Sequence, residues 1–417
     1  MPAPVQHPRF AQPRLEEALA DSPVTLIHGP RQCGKTTLAR TLEGQRGYAY
    51  LTFDDPTTLA SAREDPAGFV ANLAGPVILD EVQRAPEVFS ALKLAVDRRR
   101  EPGRFVLTGS TNVLLLPRLS DSLAGRLALV RLHPLAQSEL GGRPVPFLDN
   151  LFRGELRVRP GERLGTNLAA RVVAGGYPAA VARSSQARRS AWYRDYIETL
   201  VQRDLRDIAK IRALDTMPRL LAAAASQTAR LFNLTELASP FQLSRPTIQD
   251  YVTLLERLFL VDFLPAWHGN RLSRLVKTSK LHLGDAGLAS ALLGVDAAAL
   301  AADRELLGQL LQTFVVQELR RHASWSEPPV TLHHYRDKDN YEVDVVLERG
   351  SRQLAGIEVK AGSTVTAADF RGLKRLADAA GERFVAGVVL FDGEQTARFG
   401  DRLQAVPLRA LWEAGEG

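Results

Sequence analysis

The sequence predicts an α/β protein whose amino-terminal part is a parallel sheet covered by helices. Three observations indicate this fold class. Short apolar runs alternate with helix-length segments over the first 140 residues, a glycine-rich loop follows the first run directly, and a second group of short strands and helices begins near residue 275. The 417 residues suffice for two or three domains. We divide the chain into parts 1–140, 141–214, 215–270 and 271–417.

The composition excludes several classes of protein. Hydrophobic residues make up 45% of the chain and charged residues 24%, which excludes a disordered, collagen-like or disulfide-stapled chain. The single cysteine, Cys33, cannot form an internal disulfide, and no apolar run approaches the roughly 18 to 20 residues of a membrane span. We therefore expect a cytoplasmic protein without a membrane partner.

Positive charge is concentrated in the middle of the chain. Residues 151–270 carry 17 Lys and Arg against 11 Asp and Glu, whereas the parts on either side are nearly balanced. Such a block often contacts nucleic acid, but arginines spread along helices also form an ordinary solvated surface. With only 8 Lys in the chain, a lysine at a chemically suitable position is informative.

The elements are predicted in chain order from their apolar patterns. Because the strands of the first part would be parallel, a ligand belongs at their carboxyl ends. The glycine- and proline-rich residues 141–165 are interpreted as a connector, and a helical lid follows with GGYP as its clearest turn. The predicted strands are 24–29, 48–55, 75–81 and 104–110, and an amphipathic helix is predicted over 192–205.

The loop after the first strand, GPRQCGKT, matches the spacing G-x-x-x-x-G-K-[ST] of a phosphate-binding loop in the required strand–loop–helix context. Its glycines let backbone N–H groups wrap a phosphate. Lys35 would reach the β and γ oxygens as a catalytic residue, and the Thr36 hydroxyl would bind Mg²⁺. A plain glycine turn is the alternative. The predicted ATP-binding residues are Gly29, Pro30, Arg31, Gln32, Cys33, Gly34, Lys35, Thr36 and Thr37.

Acidic and hydroxyl residues follow the later strands. Asp80 would hold Mg²⁺ through water, while Glu81 would polarise the attacking water. Ser110 is predicted to sense the γ-phosphate or that water, with a serine-capped turn as the alternative. Arg126 is predicted to act as an arginine finger across a subunit boundary, with a plain surface arginine as the alternative.

These motifs together resemble a large prokaryotic family of AAA-type ATPases. The resemblance rests on GPRQCGKTT, the LDE-x-Q-R-x-P run, LTGS, SLAGR, GGYP and the carboxy-terminal pattern described below, and it covers nearly the whole chain. It implies a P-loop ATPase domain followed by a domain of restriction-endonuclease-like fold. It also implies ATP and Mg²⁺ as cofactors and a homo-oligomer, for which a ring is one arrangement.

The pattern of apolar residues over 215–270 is typical of a winged helix. Ser244 is the expected N-cap of a helix in which Ile248 and three later apolar residues face the core. Near the amino end of that helix, the outward residues Arg245, Thr247 and Gln249 are the predicted DNA contacts. A winged helix that contacts protein is the alternative, and the basic charge of this part favours DNA.

The last part contains a nuclease-like pattern. Two strands around a Gly-Ser turn would bring Asp344 near Glu358 and Lys360, an arrangement that holds Mg²⁺ and sets a lysine to activate water. Glu318 is the expected third acidic residue. The resemblance implies Glu at the position of its competitor Gln312, and this departure puts cleavage in doubt.

The leading hypothesis is a Mg²⁺-dependent AAA-type ATPase that couples nucleotide state to DNA binding or remodelling, including translocation or branch migration. An ATP-regulated DNA nuclease is the second hypothesis. The third is an ATP-driven oligomeric signalling switch with protein partners. DNA affinity that depends steeply on salt separates the first from the third, since only phosphate contacts release counterions.

Overall fold

A computed structural model describes residues 7–110, 123–201, 216–241, 243–270, 274 and 277–413 of the chain. The chain divides into two compact units. Among the described residues, the N-terminal unit lies within Arg9–Pro134 and includes Arg257–Phe259, and the C-terminal unit lies within Leu135–Glu256 and Leu260–Gly417. The finer division into four parts remains a prediction.

A five-stranded parallel sheet forms the centre of the N-terminal unit, as the alternating apolar runs predict. Its strand order is β2-β3-β4-β1-β5, so the first strand lies between the fourth and the fifth. The central strands are apolar and buried because helices cover both faces of the sheet. The strands are β1 (Val24–His28), β2 (Ala49–Thr52), β3 (Val77–Asp80), β4 (Phe105–Gly109) and β5 (Leu127–Arg131).

The helices of this unit bury apolar stripes on the two faces of the sheet. Leu15 of the first helix and Leu38 of the second lie in the core on one face, whereas Phe89 of the fifth lies in the core on the other. The helices are α1 (Gln12–Asp21), α2 (Lys35–Arg46), α3 (Pro56–Glu64), α4 (Pro66–Ala71) and α5 (Val88–Arg98).

The C-terminal unit begins with helices. A helix over Phe147–Arg153 lies within the segment 141–165, which corrects the prediction of a plain connector there; its residues Phe147 and Leu151 are buried. The predicted helix over 192–205 begins earlier, at Gln186, and its last four residues lie outside the described part of the chain. These helices are α6 (Gln137–Leu140), α7 (Phe147–Arg153), α8 (Thr166–Ala174), α9 (Pro178–Val181) and α10 (Gln186–Thr199).

A three-stranded antiparallel sheet with three helices follows. The last strand in the chain lies between the other two, in the order β6-β8-β7. Ile248, Tyr251, Val252 and Leu255 are buried, as their helical spacing predicts. The elements are α11 (Thr216–Ser226), β6 (Arg230–Leu231), α12 (Leu234–Ala238), α13 (Arg245–Arg257), β7 (Val261–Leu264) and β8 (Lys280–Leu283).

A six-stranded mixed sheet completes the C-terminal unit. Its order is β13-β14-β12-β11-β10-β9, with β9, β10 and β11 antiparallel and β11, β12 and β14 parallel. The strands are β9 (Val330–Arg336), β10 (Glu342–Arg349), β11 (Gln353–Lys360), β12 (Phe384–Phe391), β13 (Ala397–Arg398) and β14 (Leu403–Pro407). The helices are α14 (Ala286–Leu292), α15 (Ala297–Ala302), α16 (Arg304–Trp325) and α17 (Arg371–Ala380). Among the residues that the structure describes, no helix is both long and apolar enough to cross a membrane.

Candidate functional site

The glycine-rich loop lies between β1 and α2, at the carboxyl edge of the parallel sheet. Gly29 has a φ of 154°, and a Cβ atom there would lie 1.9 Å from the backbone oxygen of Leu132. Gly34 is in the left-handed region at the N-cap of α2. Lys35 is buried, and its Nζ donates a hydrogen bond to Pro30 O at 2.8 Å. The loop therefore has the backbone conformation that the two glycines of the motif permit.

An arginine from before α1 holds the loop on its outer side. Arg9 donates one hydrogen bond to Cys33 O at 2.6 Å and another to His133 O at 2.7 Å. Because both acceptors are backbone oxygens, this guanidinium connects the loop to the segment that follows β5. Arg9 is a loop-binding residue that the sequence motifs did not indicate.

The carboxylate of Asp80 accepts hydrogen bonds from hydroxyl groups on three neighbouring elements. The Thr36 hydroxyl lies 3.1 Å from Asp80 Oδ1 and 3.2 Å from Oδ2. Thr108 Oγ1 on β4 donates to Oδ1, and Tyr50 OH on β2 donates to Oδ2 at 2.7 Å. Burial, followed by the bond to Asp80, raises the pKa of Tyr50, so this phenol stays protonated as a donor.

Thr36 and Asp80 have the donor chemistry for Mg²⁺. This ion prefers oxygen ligands and retains several waters, so one hydroxyl and one carboxylate beside a phosphate suffice. The two side chains come from residues 44 positions apart and meet because β1 and β3 both end at this edge. The residues therefore fit the predicted metal.

Glu81 directly follows β3 and stands at a special backbone conformation. Its φ of 58° is in the left-handed region, which is uncommon for a residue with a side chain and is frequent at functional sites. Its N–H donates to Thr108 Oγ1 at 3.1 Å. Its carboxylate accepts hydrogen bonds from Ser110 Oγ at 3.1 Å and from Gln83 Nε2. Glu81 and Ser110, each predicted to lie at the end of a strand, thus contact each other.

A neutral histidine, His28, is the last residue of β1, directly before the loop. Burial, together with the positive charges of Arg131 and Lys35, lowers the pKa of His28 to about 4. The imidazole is therefore neutral near pH 7. As a result, Lys35 has no charged histidine beside it in this part of the site.

Arg126 lies at the opposite edge of the parallel sheet from the loop. It directly precedes β5, and Val24 N at the start of β1 donates to its backbone oxygen at 3.3 Å. Its guanidinium pairs with Asp97 at 2.6 Å. The structure thus separates Arg126 from the loop of the same chain.

Asp344 and Glu358 lie side by side in the six-stranded sheet, as predicted. Val345 pairs with Ile357 in the antiparallel register of β10 and β11, so Asp344 and Glu358 occupy the neighbouring pair of positions. Burial and the proximity of Asp344 raise the pKa of Glu358 well above its ordinary value. The predicted strand pair and its turn are therefore confirmed.

The other two predicted members of this cluster are engaged elsewhere. Lys360 Nζ forms an ion pair with Asp369 at 2.8 Å. Glu318 is fully buried, where it pairs with Arg321 and accepts a hydrogen bond from Gln137 N at 2.9 Å. The expectation that Glu318 joins the cluster is wrong, because its turn of α16 faces a different part of the unit.

Gln312, named above as the competitor of Glu318, contacts Asp344 instead, together with Lys280, which was not predicted. Gln312, six residues before Glu318 and on a different face of α16, donates to Asp344 Oδ1 at 2.6 Å. Lys280 Nζ on β8 lies 3.3 Å from the same oxygen. No metal-binding group of three or more His, Cys, Asp or Glu side chains occurs among the described residues. No sequence motif indicated Lys280, because its contact with Asp344 joins residues 64 positions apart.

The exposed end of α13 carries the predicted DNA contacts. Thr247 N donates to Ser244 Oγ at 3.3 Å, which confirms the predicted N-cap. Arg245 and Gln249 are exposed and Thr247 is half-buried. The Arg245 guanidinium donates to Thr235 Oγ1 on the neighbouring helix. The three side chains thus lie near one another on a surface.

Two residues of the loop site had weaker sequence signals. Gln83 lies within the LDE-x-Q-R-x-P run, so the sequence showed that it belongs to a motif but not that its side chain contacts Glu81. Tyr50 sits within a predicted strand, where a tyrosine is ordinarily a packing residue. Its bond to Asp80 depends on β2 lying next to β3, which no local pattern indicates.

Three family models match separate parts of the chain. An AAA domain matches residues 21–141, a domain of unknown function (DUF8612) matches 165–299, and a domain of unknown function (DUF4143) matches 307–411. The uncharacterized proteins Rv2008c of Mycobacterium tuberculosis and Mb2031c of Mycobacterium bovis are each 30% identical over 409 residues. The alignment spans 98% of this chain and 85% of each relative.

Solved structures share a smaller likeness. The Walker-type ATPase PABY2304 of Pyrococcus abyssi has 15% identity and a TM-score of 0.42, covering 68% of this chain and 94% of that one. The RuvB Holliday junction branch migration motor of Thermotoga maritima has 17% identity and a TM-score of 0.30, covering 61% and 89%. The geometry of the phosphate-binding loop agrees with the AAA domain match. The chain belongs to the same family as the two mycobacterial proteins, and it is an AAA-type ATPase.

Proposed function

We propose that this protein is a cytoplasmic, Mg²⁺-dependent ATPase that couples its nucleotide state to DNA binding or remodelling. One observation carries the ATPase part. The Thr36 hydroxyl and the Asp80 carboxylate meet within 3.1 Å beside a buried lysine of the phosphate-binding loop, and Glu81 follows Asp80 directly. This set provides a phosphate contact, metal ligands and a base at one sheet edge.

Lys35 would exchange partners when ATP binds. Its ammonium donates to Pro30 O, a neutral acceptor. The β and γ phosphate oxygens carry negative charge, and hydrogen bonds between charged groups are roughly twice as strong as neutral ones. The phosphate oxygens are therefore a more favourable partner for Lys35 than Pro30 O. The loop N–H groups and the start of α2 would bind the same anion.

Hydrolysis would use Glu81 as the base. The oxygen of a water forms a bond to the γ-phosphorus, the bond from that phosphorus to the bridging oxygen breaks, and the water proton passes to the Glu81 carboxylate. Ser110 and Gln83 hold that carboxylate in place. Thr36 and Asp80 would hold Mg²⁺, which neutralises charge on the phosphate oxygens.

Arg126 would act on the nucleotide of a neighbouring subunit in a homo-oligomer. Its position beside Val24, at the amino edge of the sheet, supports action in trans because its own loop lies at the other edge. The ion pair with Asp97 would open when the neighbour supplies a phosphate. Because solvent screens an exposed ion pair of this kind, opening it costs little free energy.

Residues 216–283 support the DNA part of the proposal. Helix, strand, two helices and two strands follow in the order expected of a winged helix, and the last strand lies centrally in the antiparallel sheet. In such domains the helix corresponding to α13 enters the major groove. Arg245, Thr247 and Gln249 lie near its amino end, in the basic part of the chain.

Steady-state ATP hydrolysis with duplex, single-stranded and branched DNA tests the whole proposal. We expect Lys35→Ala to abolish hydrolysis, whereas Lys93→Ala on α5 serves as a matched lysine control and keeps the wild-type rate. Stimulation by one DNA form would support coupling and identify the substrate. Hydrolysis unaffected by Lys35→Ala would refute the ATPase site. Hydrolysis indifferent to every DNA form would favour the signalling switch.

DNA affinity measured against salt concentration tests the proposed contact surface. Each phosphate contact contributes about −0.9 to the slope of log affinity against log salt. We expect Arg245→Ala to weaken binding and make this slope about 0.9 less steep. The exposed Arg352→Ala in the β10–β11 turn should change neither quantity. A wild-type slope near zero would refute phosphate contacts, while equal effects of the two variants would remove α13 from the surface.

A further inference from the structure

The carboxylate of Asp344 has donors on both of its oxygens. Oδ1 accepts from Gln312 Nε2 at 2.6 Å and lies 3.3 Å from Lys280 Nζ. Oδ2 accepts from the backbone N–H of Val359 at 3.0 Å. Hydroxyl groups such as those around Asp80 can rotate their hydrogens away from a cation, whereas an ammonium and a backbone N–H remain donors in every orientation. Here, an ammonium, an amide and a backbone N–H contact the two oxygens of Asp344, and neither oxygen is free of such a donor.

Lys280 carries the positive charge of this cluster. It stands at the first position of β8, and its side chain is only 5% exposed. Glu342 Oε2 lies 3.9 Å from its Nζ, so two carboxylates face one ammonium. A buried lysine is tolerated only when it is paired, which makes these carboxylates its counter-ions. The ammonium therefore does for the acidic residues what a bound cation would otherwise do.

The remaining side chains do not form a metal site. Gln312 presents its amide N–H to Asp344, whereas a metal requires an oxygen or another lone pair from this position. Glu318 is turned away into its bond with Arg321, and Lys360 is paired with Asp369. Asp344 and Glu358 are thus the only acidic pair of the predicted pattern at this position, and Mg²⁺ does not fit them as they are held.

We infer that the ammonium of Lys280 neutralises Asp344, the register neighbour of Glu358, in place of a divalent cation. The six-stranded domain then has no metal-dependent nuclease centre. The cluster instead joins β8 to the six-stranded sheet through an internal ion pair. This inference concerns the C-terminal unit and is independent of the proposed ATPase function.

Binding of Mn²⁺ to the full-length protein without nucleotide gives the direct test, measured by electron paramagnetic resonance. We expect wild type and Asp344→Asn to bind the same number of Mn²⁺ ions. The double variant Lys280→Ala/Gln312→Glu should gain one further ion, which is lost again when Asp344→Asn is added. A wild-type Mn²⁺ site that disappears in Asp344→Asn would overturn the inference. A folded double variant without the additional ion would overturn it too.

Thermal unfolding separates the ion pair from a merely structural lysine. Lys280→Met and Asp344→Asn should each lower Tm, while the two together should lower it by less than the sum, because the second change removes a charge already left unpaired. Additive losses would refute the pairing. If Lys280→Met alone fails to fold, recovery of folding in the pair of substitutions makes the same point, and continued failure contradicts it.

DNA cleavage in the presence of Mg²⁺ or Mn²⁺ provides a third readout. Supercoiled plasmid should remain intact with wild type, and Lys360→Ala should behave identically. Metal-dependent nicking that is lost in both Asp344→Asn and Lys360→Ala would restore the nuclease hypothesis and overturn the inference.

Discussion

The side-chain amide of Gln83 holds the carboxylate of Glu81. Its Nε2 donates to Glu81 and also to Ser110 Oγ, which lies 2.9 Å away and donates to Glu81 in turn. The three groups form a closed triangle on the turn after β3 and the end of β4. The proposed base is therefore positioned by two side chains that need not touch the nucleotide themselves.

Gln83→Ala should slow ATP hydrolysis by lowering kcat about tenfold with little change in KM. The substitution leaves the base present but less well oriented, whereas loss of a general base costs about 10²- to 10⁴-fold, which we expect for Glu81→Gln. Steady-state kinetics of both variants check this expectation. A faster Gln83→Ala enzyme would mean that Gln83 restrains Glu81 rather than positioning it.

Gly29→Ala should abolish ATP binding, while Gly44→Ala should leave it intact. A Cβ atom at Gly29 would lie 1.9 Å from a backbone oxygen, whereas at Gly44 on α2 nothing lies within 4 Å. Replacing a glycine inside a helix by alanine stabilises it by roughly 0.5 to 1 kcal/mol, so Gly44→Ala should also raise Tm slightly. Binding of a fluorescent ATP analogue and thermal unfolding measure both effects. Equal ATP affinity in the two variants would show that the close approach at Gly29 is unimportant.

Asp285→Ala should strongly destabilise the C-terminal unit. The Asp285 carboxylate accepts hydrogen bonds from Gly176 N at 2.9 Å, from the first N–H groups of α14 and from Tyr193 OH, and it pairs with Arg321. Removing one partner of a buried pair costs about 3 to 5 kcal/mol. Asp296→Ala is the matched control because Asp296 caps α15 with a single bond to Ala299 N, which is worth about 1 kcal/mol.

Urea unfolding of the two aspartate variants measures this difference. We expect the midpoint to fall much further for Asp285→Ala than for Asp296→Ala. Similar losses would contradict the view that Asp285 joins the GGYP turn to α14 and α16.

Acid should destabilise the protein between about pH 6.5 and pH 4 through buried histidines. Burial lowers the pKa of His322 from 6.5 to about 4, so the unfolded chain binds a proton in this range and the folded chain does not. The contribution of neutral His322 to the free energy of unfolding is therefore fully present above pH 6.5. It is lost as the pH falls toward 4, which lowers the free energy of unfolding by about 3 kcal/mol. His28, His333 and His334 have pKa values lowered to about 4 as well.

Substitution of His322 isolates one of these contributions. His322→Asn removes the titrating group, so the difference in unfolding free energy between wild type and variant should shrink from pH 7.5 to pH 4.5. Denaturant unfolding at several pH values measures this difference. Parallel pH profiles would show that His322 titrates alike in the folded and unfolded chain.

Much of the ATPase site was predictable because its signals are local. The strand before Gly29, the glycine spacing and Lys35 at the start of a helix all lie within about a dozen residues of chain. Burial of β1 and β3 also follows from their uninterrupted apolar runs. Asp80 and Glu81 could be assigned to the same edge because parallel strands end together.

The C-terminal unit was predictable in its elements and only partly in its contacts. The strand pair β10 and β11 follows from its alternation and its Gly-Ser turn, and it brings Asp344 beside Glu358. The third partner was misassigned from α16. That helix is buried around most of its circumference, so apolar periodicity did not distinguish the face of Gln312 from that of Glu318.

By itself, the sequence determined the α/β class, the phosphate-binding loop and the strand-end carboxylates, because each depends on residues close together in the chain. The tertiary structure alone decided that Tyr50 bonds to Asp80 and that Lys280 pairs with Asp344. Those contacts depend on which strands are neighbours and on how one sheet packs against another. The free energy that selects such arrangements is summed over many distant apolar contacts, and no short segment encodes it.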